Sequence, residues 1–122
     1  MATRAELLSQ ILRTLVSNTP DVEAAAVVSV DGLVVSSVLP AGVDEDRVAA
    51  MAAALLSLGD RTSQELGRDT LEQVYVKGKN GYVILIQTSP ETVLEAIAGP
   101  SAKLGMVLLD MKRAAQEISR IL

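Results

Sequence analysis

The sequence predicts an α+β domain on three observations. Amphipathic helical stretches lie near both ends of the chain, two β-hairpin signals lie between them, and a long alanine-rich helix separates the hairpins. That middle helix is the most unusual segment. Ten of the eleven residues from Val48 to Leu58 are apolar, and eleven positions at about 100° each pass all the way round a helix. No polar face remains over three turns, so the helix needs cover on two sides. Sorted by size, Val48, Met51, Leu55, Leu58 and Leu66 fall on one face and Ala50, Ala53, Ala54 and Ser57 on the other. The large face is expected to be core. The small face is expected to be a contact surface, because small side chains let helix axes approach to the low end of about 8 to 10 Å.

The elements follow in order. Thr3 and Glu6 form a capping-box pattern, after which Leu7, Leu8, Ile11, Leu12, Leu15 and Val16 recur at helical spacing until Asn18-Thr19-Pro20. Small and β-branched residues from Val22 to Val30, the turn signal Asp31-Gly32 and the run Leu33 to Leu39 predict a hairpin. Both its strands are apolar at odd and even positions, which predicts cover on both faces. The acidic run Asp44-Glu45-Asp46 sits where a helix dipole favours negative charge and opens the second helix, which runs to about Gly67. Gly59 inside it predicts a close contact or a bend.

Leu71 to Lys77 alternates polar and apolar residues, as a half-covered edge strand does. Gly78-Lys79-Asn80-Gly81 then turns into Tyr82 to Gln87, apolar on both faces and hence an interior strand. From Ser89 to Ala98 the local signals lean to helix, because Ser followed by Pro resembles an N-cap with proline at the first helical position. Leu104, Val107, Leu108, Met111, Ala114, Ala115, Ile118 and Ile121 form one stripe of a final helix.

Composition narrows the function. At 122 residues the chain is read as a single domain spanning 1–122. Its start lacks the charged and apolar regions of a signal peptide and no apolar run reaches bilayer length, so a cytoplasmic location is expected. There is no cysteine and no histidine. Thiolate and imidazole metal sites, cysteine nucleophiles and every histidine-based triad are thereby excluded, and no catalytic residue, metal or cofactor is expected. With two tyrosines as the sole aromatics and a net charge of −4, neither a stacking platform nor a basic footprint for nucleic acid is present. Proteins, or small ligands in an apolar pocket, are the expected partners.

Four stretches carry a family resemblance: Val27-Val28-Ser29-Val30-Asp31-Gly32-Leu33-Val34-Val35, Ala52 to Arg61, Gly81-Tyr82-Val83-Ile84-Leu85, and Lys103 to Ala115. In this order and at these gaps the chain resembles the Roadblock family, named for a dynein light chain. The resemblance implies the order α-β-β-α-β-β-β-α around a five-stranded antiparallel sheet. The long second helix covers one face of that sheet and the two terminal helices the other. It also makes Thr92 to Ala98 a strand, against the local signals.

The resemblance further implies a homodimer in which the second helices lie side by side and the third strands pair, continuing the sheet. Prokaryotic relatives of the MglB type bind a Ras-like small GTPase of the MglA type and regulate its nucleotide state. The expected function is a homodimeric, non-enzymatic regulator or scaffold of such a GTPase. The alternative is a ligand-sensing module enclosing a small molecule between sheet and helix.

The expected dimer interface comprises Ala50, Ala53, Ala54, Ser57, Arg61, Gln73, Tyr75 and Lys77, with Tyr75 pointing away from Val74 and Val76. The expected GTPase contacts are Asp46, Ser57, Asp60, Arg61 and Gln64. Sharper chemistry has weak support. Arg47 and Arg61 follow no catalytic motif that would make either an arginine finger. Lys79 between Gly78 and Gly81 joins two strands and lacks the spacing of a phosphate-binding loop. Three carboxylates at a helix start more often complement its dipole than bind a cation.

Overall fold

Residues 1–122 are described by a computed structural model. Helix α1 (Arg4–Asn18) begins as its capping box dictates. Thr3 Oγ1 accepts from the Glu6 N–H at 3.1 Å and donates to Glu6 Oε1 at 3.0 Å. Strands β1 (Val22–Ser29) and β2 (Val34–Val38) follow. The hairpin turn is longer than the sequence suggests, because Val30 and Leu33 join Asp31 and Gly32 outside the strands. Gly32 has φ +88 there, the conformation for which glycine is suited. The β1 to β2 register also shifts at Val27/Val28.

Helix α2 (Glu45–Glu65) is capped by Asp44, whose Oδ1 accepts from the Arg47 N–H at 3.2 Å. Strands β3 (Gln73–Gly78), β4 (Gly81–Ser89) and β5 (Thr92–Ala98) come next, and helix α3 (Leu104–Ile121) ends the chain. The sheet is antiparallel throughout, in the order β2-β1-β5-β4-β3. This is the α-β-β-α-β-β-β-α arrangement expected from the resemblance.

The local helical lean of the last strand is overturned, and its capping signal has a different use. Ser89 Oγ accepts from the Glu91 N–H at 3.1 Å, but this bond closes the turn between β4 and β5. β5 lies between β1 and β4, so ladders on both sides outweigh a weak local preference. The expectation of cover on both faces holds for β1 and more thinly for β2, where Val34 packs on the α2-side cluster, Val38 on the opposite one, and Val35 is exposed. As a sheet edge, β2 has only one neighbour.

The two faces of the sheet are unequal. Fifteen buried residues of α1, α3 and the sheet, among them Leu8, Leu12, Leu94, Met111 and Ile118, form one core cluster. Seven form the other: Ala26, Val28, Leu85 and Val93 of the sheet beneath Ala49, Ala52 and Leu56 of α2. Most of the hydrophobic stabilisation therefore lies on the side of the terminal helices. Thr19 Oγ1 donates to Asp110 Oδ2 at 2.8 Å and ties the end of α1 to α3.

Gly81 is the tightest backbone position. It has φ +145, and a Cβ there would lie 2.1 Å from the Ala98 carbonyl oxygen. Gly81→Ala is expected to destabilise the domain by at least about 2 kcal/mol, because both the strained φ and a backbone clash must be relieved. Thermal denaturation followed by circular dichroism checks this. A midpoint within two degrees of wild type would contradict the stated geometry.

Candidate association surface on helix α2 and strand β3

Size-sorting of α2 assigns its core face wrongly. The residues buried against the sheet are Ala49, Ala52 and Leu56, at i, i+3 and i+7. Gly59 continues that line, and a Cβ on it would lie 3.0 Å from Val74 Cγ2 and 3.3 Å from Leu71 Cδ2. The glycine is thus explained by close approach to β3 and its preceding loop. Met51, Leu58 and Leu66, expected in the core, are 53%, 64% and 68% exposed, while Val48 and Leu55 are half-buried. The physical reason is distance: small residues beneath the helix let it lie close on the sheet, and larger ones would hold it away.

The large residues form a stripe along the flank of α2 turned toward β3. A groove of about 490 Å³ opens there, lined by Leu55, Leu58, Leu66, Leu71, Val74 and Tyr75. Met51 continues the stripe one turn toward the helix start. Beside the groove, β3 is the last strand of the sheet and pairs only with β4. Its outer backbone groups are left without a strand partner. Exposed apolar side chains on a helix and an open strand edge therefore adjoin each other.

The expected interface residues lie around this feature. Ala50, Ala54, Ser57 and Arg61 are exposed on the outward side of α2, and Ala53 is half-buried, its Cβ 3.8 Å from where a Gly32 Cβ would sit. On β3, Val74 packs with the α2-side cluster, whereas Tyr75 pairs across the strands with Ile84 of the opposite core. Tyr75 thus points away from Val74, as expected, and is 45% exposed. Its hydroxyl donates to Gln73 Oε1. Lys77 places Nζ 5.5 Å from the centroid of the Tyr82 ring, a cation-π contact on that same face.

The expected GTPase contacts share one flank of α2. At about 100° per residue, Asp46, Ser57 and Gln64 fall within about 20° of one another, with Asp60 and Arg61 up to about 60° to either side. Their span from Asp46 to Gln64 is about 27 Å at about 1.5 Å per residue. Asp46, Ser57, Asp60, Arg61 and Gln64 are all exposed. Arg61 Nε contacts Glu65 Oε1 at 3.0 Å, an exposed pair of small energetic weight. Asp60 Oδ1 accepts from the Leu71 N–H at 3.4 Å and so anchors the loop into β3.

Beneath the middle of α2, Ala49, Ala52 and Leu56 pack with Ala26, Val28, Leu85 and Val93 of the sheet, and the space between helix and sheet opens only as the groove beside β3. The larger groove, about 760 Å³, lies between α1 and α3 and is lined by residues including Leu7, Ile11, Asp110 and Arg120. No three acidic residues are grouped so as to hold a metal ion. No helix is long and apolar enough to cross a membrane.

One buried residue was not singled out by sequence. Glu95 in β5 is 5% exposed, pairs across the strands with Ala26 and Leu85, and therefore faces α2. Its Oε1 is buried without a hydrogen-bond partner. Burial raises its pKa from 4.5 to about 7 by disfavouring the charged form. A lone acidic residue inside the run Thr92 to Ala98 was the available signal.

The family model for the Roadblock/LC7 domain matches residues 8–98. The chain belongs to the Roadblock/LC7 family. Two uncharacterised proteins of Methanocaldococcus jannaschii are each 35% identical over 112 residues, 92% of this chain and 96% of theirs. An MglB with tetrameric arrangement superposes with a TM-score of 0.90 at 20% identity, covering 99% of this chain and 91% of its own. The Roadblock/LC7 domain from Streptomyces avermitilis gives a TM-score of 0.87 at 25% identity, covering 92% and 94%. The whole Roadblock architecture is thus present, with all its elements in order.

The reassigned faces of α2 have a direct energetic consequence. Leu56→Ala is expected to cost about 2 to 4 kcal/mol in folding stability, as a buried large-to-small change does. Leu58→Ala should stay within about 1 kcal/mol when the chain is monomeric. Urea titration over a range of protein concentrations separates the two. Equal losses would return Leu58 to the core.

Proposed function

We propose that this Roadblock protein works as a homodimer that binds a Ras-like small GTPase of the MglA type and modulates its nucleotide state or its localisation. The observation that carries the reading is the apolar stripe Met51, Leu58 and Leu66 beside the open edge of β3. A second copy placed on a two-fold axis covers both at once, α2 against α2 and β3 against β3, and an isologous contact of this kind is closed. Ala50 and Ala54 on the outward side permit close approach of the two helices.

The polar flank with Asp46, Ser57, Asp60, Arg61 and Gln64 then lies free beside the paired helices, and we assign the GTPase contact to it. Membership in the Roadblock/LC7 family supports the reading. The absence of histidine and cysteine from the sequence fits a regulator that acts through its partner's catalytic groups.

Light scattering after size exclusion should give about twice the 12.8 kDa chain mass. Leu58→Glu should give single-chain mass with unchanged helix content. A wild-type monomer at micromolar concentration would overturn the dimer.

For the GTPase, capture is expected to differ between GDP- and GTP-loaded candidates. The double variant Asp46→Ala, Gln64→Ala should lower it about tenfold or more while remaining dimeric. Capture in neither nucleotide state, across the Ras-like GTPases of the source genome, would remove this assignment.

A further inference from the structure

Glu95 is the one ionisable residue among the buried side chains, and it occupies the middle of the seam between the sheet and α2. Around it are Ala26 of β1, Leu85 of β4, and Ala49, Ala52 and Leu56 of α2. No charge of opposite sign faces it. The charged residues of α2, which are Glu45, Asp46, Arg47, Asp60, Arg61 and Glu65, are all exposed. Glu23 of β1 is exposed, and Lys77 of β3 reaches over Tyr82 on the other side of the sheet. Strands β2 and β4 contain no charged residue. Oε1 is buried without a hydrogen-bond donor and no cation offsets the charge, so burial favours the neutral acid in the seam.

We propose that Glu95 is a proton-operated latch: the neutral carboxyl lets α2 seat on the sheet, and ionisation draws water into the seam and loosens α2 together with the surface it presents. The first step stands on the seam alone, and the effect on association rests on the reading of α2 as the docking surface. α2 is the element that yields, because its seat comprises two alanines, one leucine and a glycine, whereas the opposite core has twice as many buried residues.

The direction follows from proton linkage. The seated state binds the proton more tightly than a loosened state in which Glu95 is hydrated, so seating weakens as pH rises from 4.5 through about 7 and levels off above it. Between pH 6 and pH 8.5 the loosened-to-seated ratio should rise about tenfold.

Hydrogen exchange of the full-length protein tests this. After correction for the intrinsic pH dependence, α2 amides should lose about tenfold in protection relative to α3 amides between pH 6 and pH 8.5. Glu95→Gln and Glu95→Leu should each abolish that change, the second without leaving an unpaired polar group. Wild-type α2 amides that keep pace with α3, or variants that retain the slope, would overturn the latch. Light scattering at the two pH values reads the second step. A latch in exchange with no change in association counts against α2 as the docking surface and leaves the latch intact. An unchanged α2 in a protein that still dimerises through Leu58 overturns the latch alone.

Discussion

The close seating of α2 on the sheet is the constraint from which the visible surface of this protein follows. Ala49, Ala52 and Gly59 present almost no volume toward the strands, so the helix lies low, and Leu56 with the half-buried Leu55 fills the remaining depth. A helix held this close cannot turn its larger residues inward as well. Met51, Leu58 and Leu66 are displaced to the flank and outward side, where they face solvent beside β3. The fold tolerates this because its main stabilisation lies on the other face, where Leu8, Leu12, Met111 and Ile118 pack α1 and α3 against the central strands.

That division of labour gives α2 two usable flanks. Toward β3 it offers leucine and methionine next to an unpaired strand edge, the combination that a second copy can cover symmetrically. Toward the turn between β1 and β2 it offers Asp46, Ser57 and Gln64, which suit a polar partner. The terminal helices take no part in either flank and serve as the rigid support beneath them. In the proposed latch Glu95 couples the support to the surface, because it sits in the thin layer between them with Oε1 unpartnered.

Much of the framework was legible in the sequence because it depends on short-range chemistry. Thr3 with Glu6 and Asp44 with its following N–H groups are local caps, and the turns at Gly32 and Gly81 depend on local backbone geometry. The alternation in Leu71 to Lys77 reports an edge strand, since that pattern follows directly from having one covered face. Three features were not legible from local signals. Thr92 to Ala98 looks helical by its Ser-Pro start, and only pairing with β1 and β4 makes it a strand; the resemblance to Roadblock proteins carried that information. Residue size is a poor guide to the core face of α2, because close seating on the sheet demands small residues such as Ala49 and Ala52. The burial of Glu95 has no local signature, because one glutamate has no distinctive spacing.

The sequence by itself determined the element order, the caps and turns, the lack of imidazole and thiol chemistry, and the family. These follow from residue identity and near neighbours along the chain. Tertiary structure decided which side of α2 meets the sheet, where its apolar stripe emerges, and that a carboxyl is buried beneath it. Each of these depends on the separation of two surfaces brought together from distant parts of the chain, and helical periodicity fixes angles around an axis without fixing how close that axis lies to the sheet.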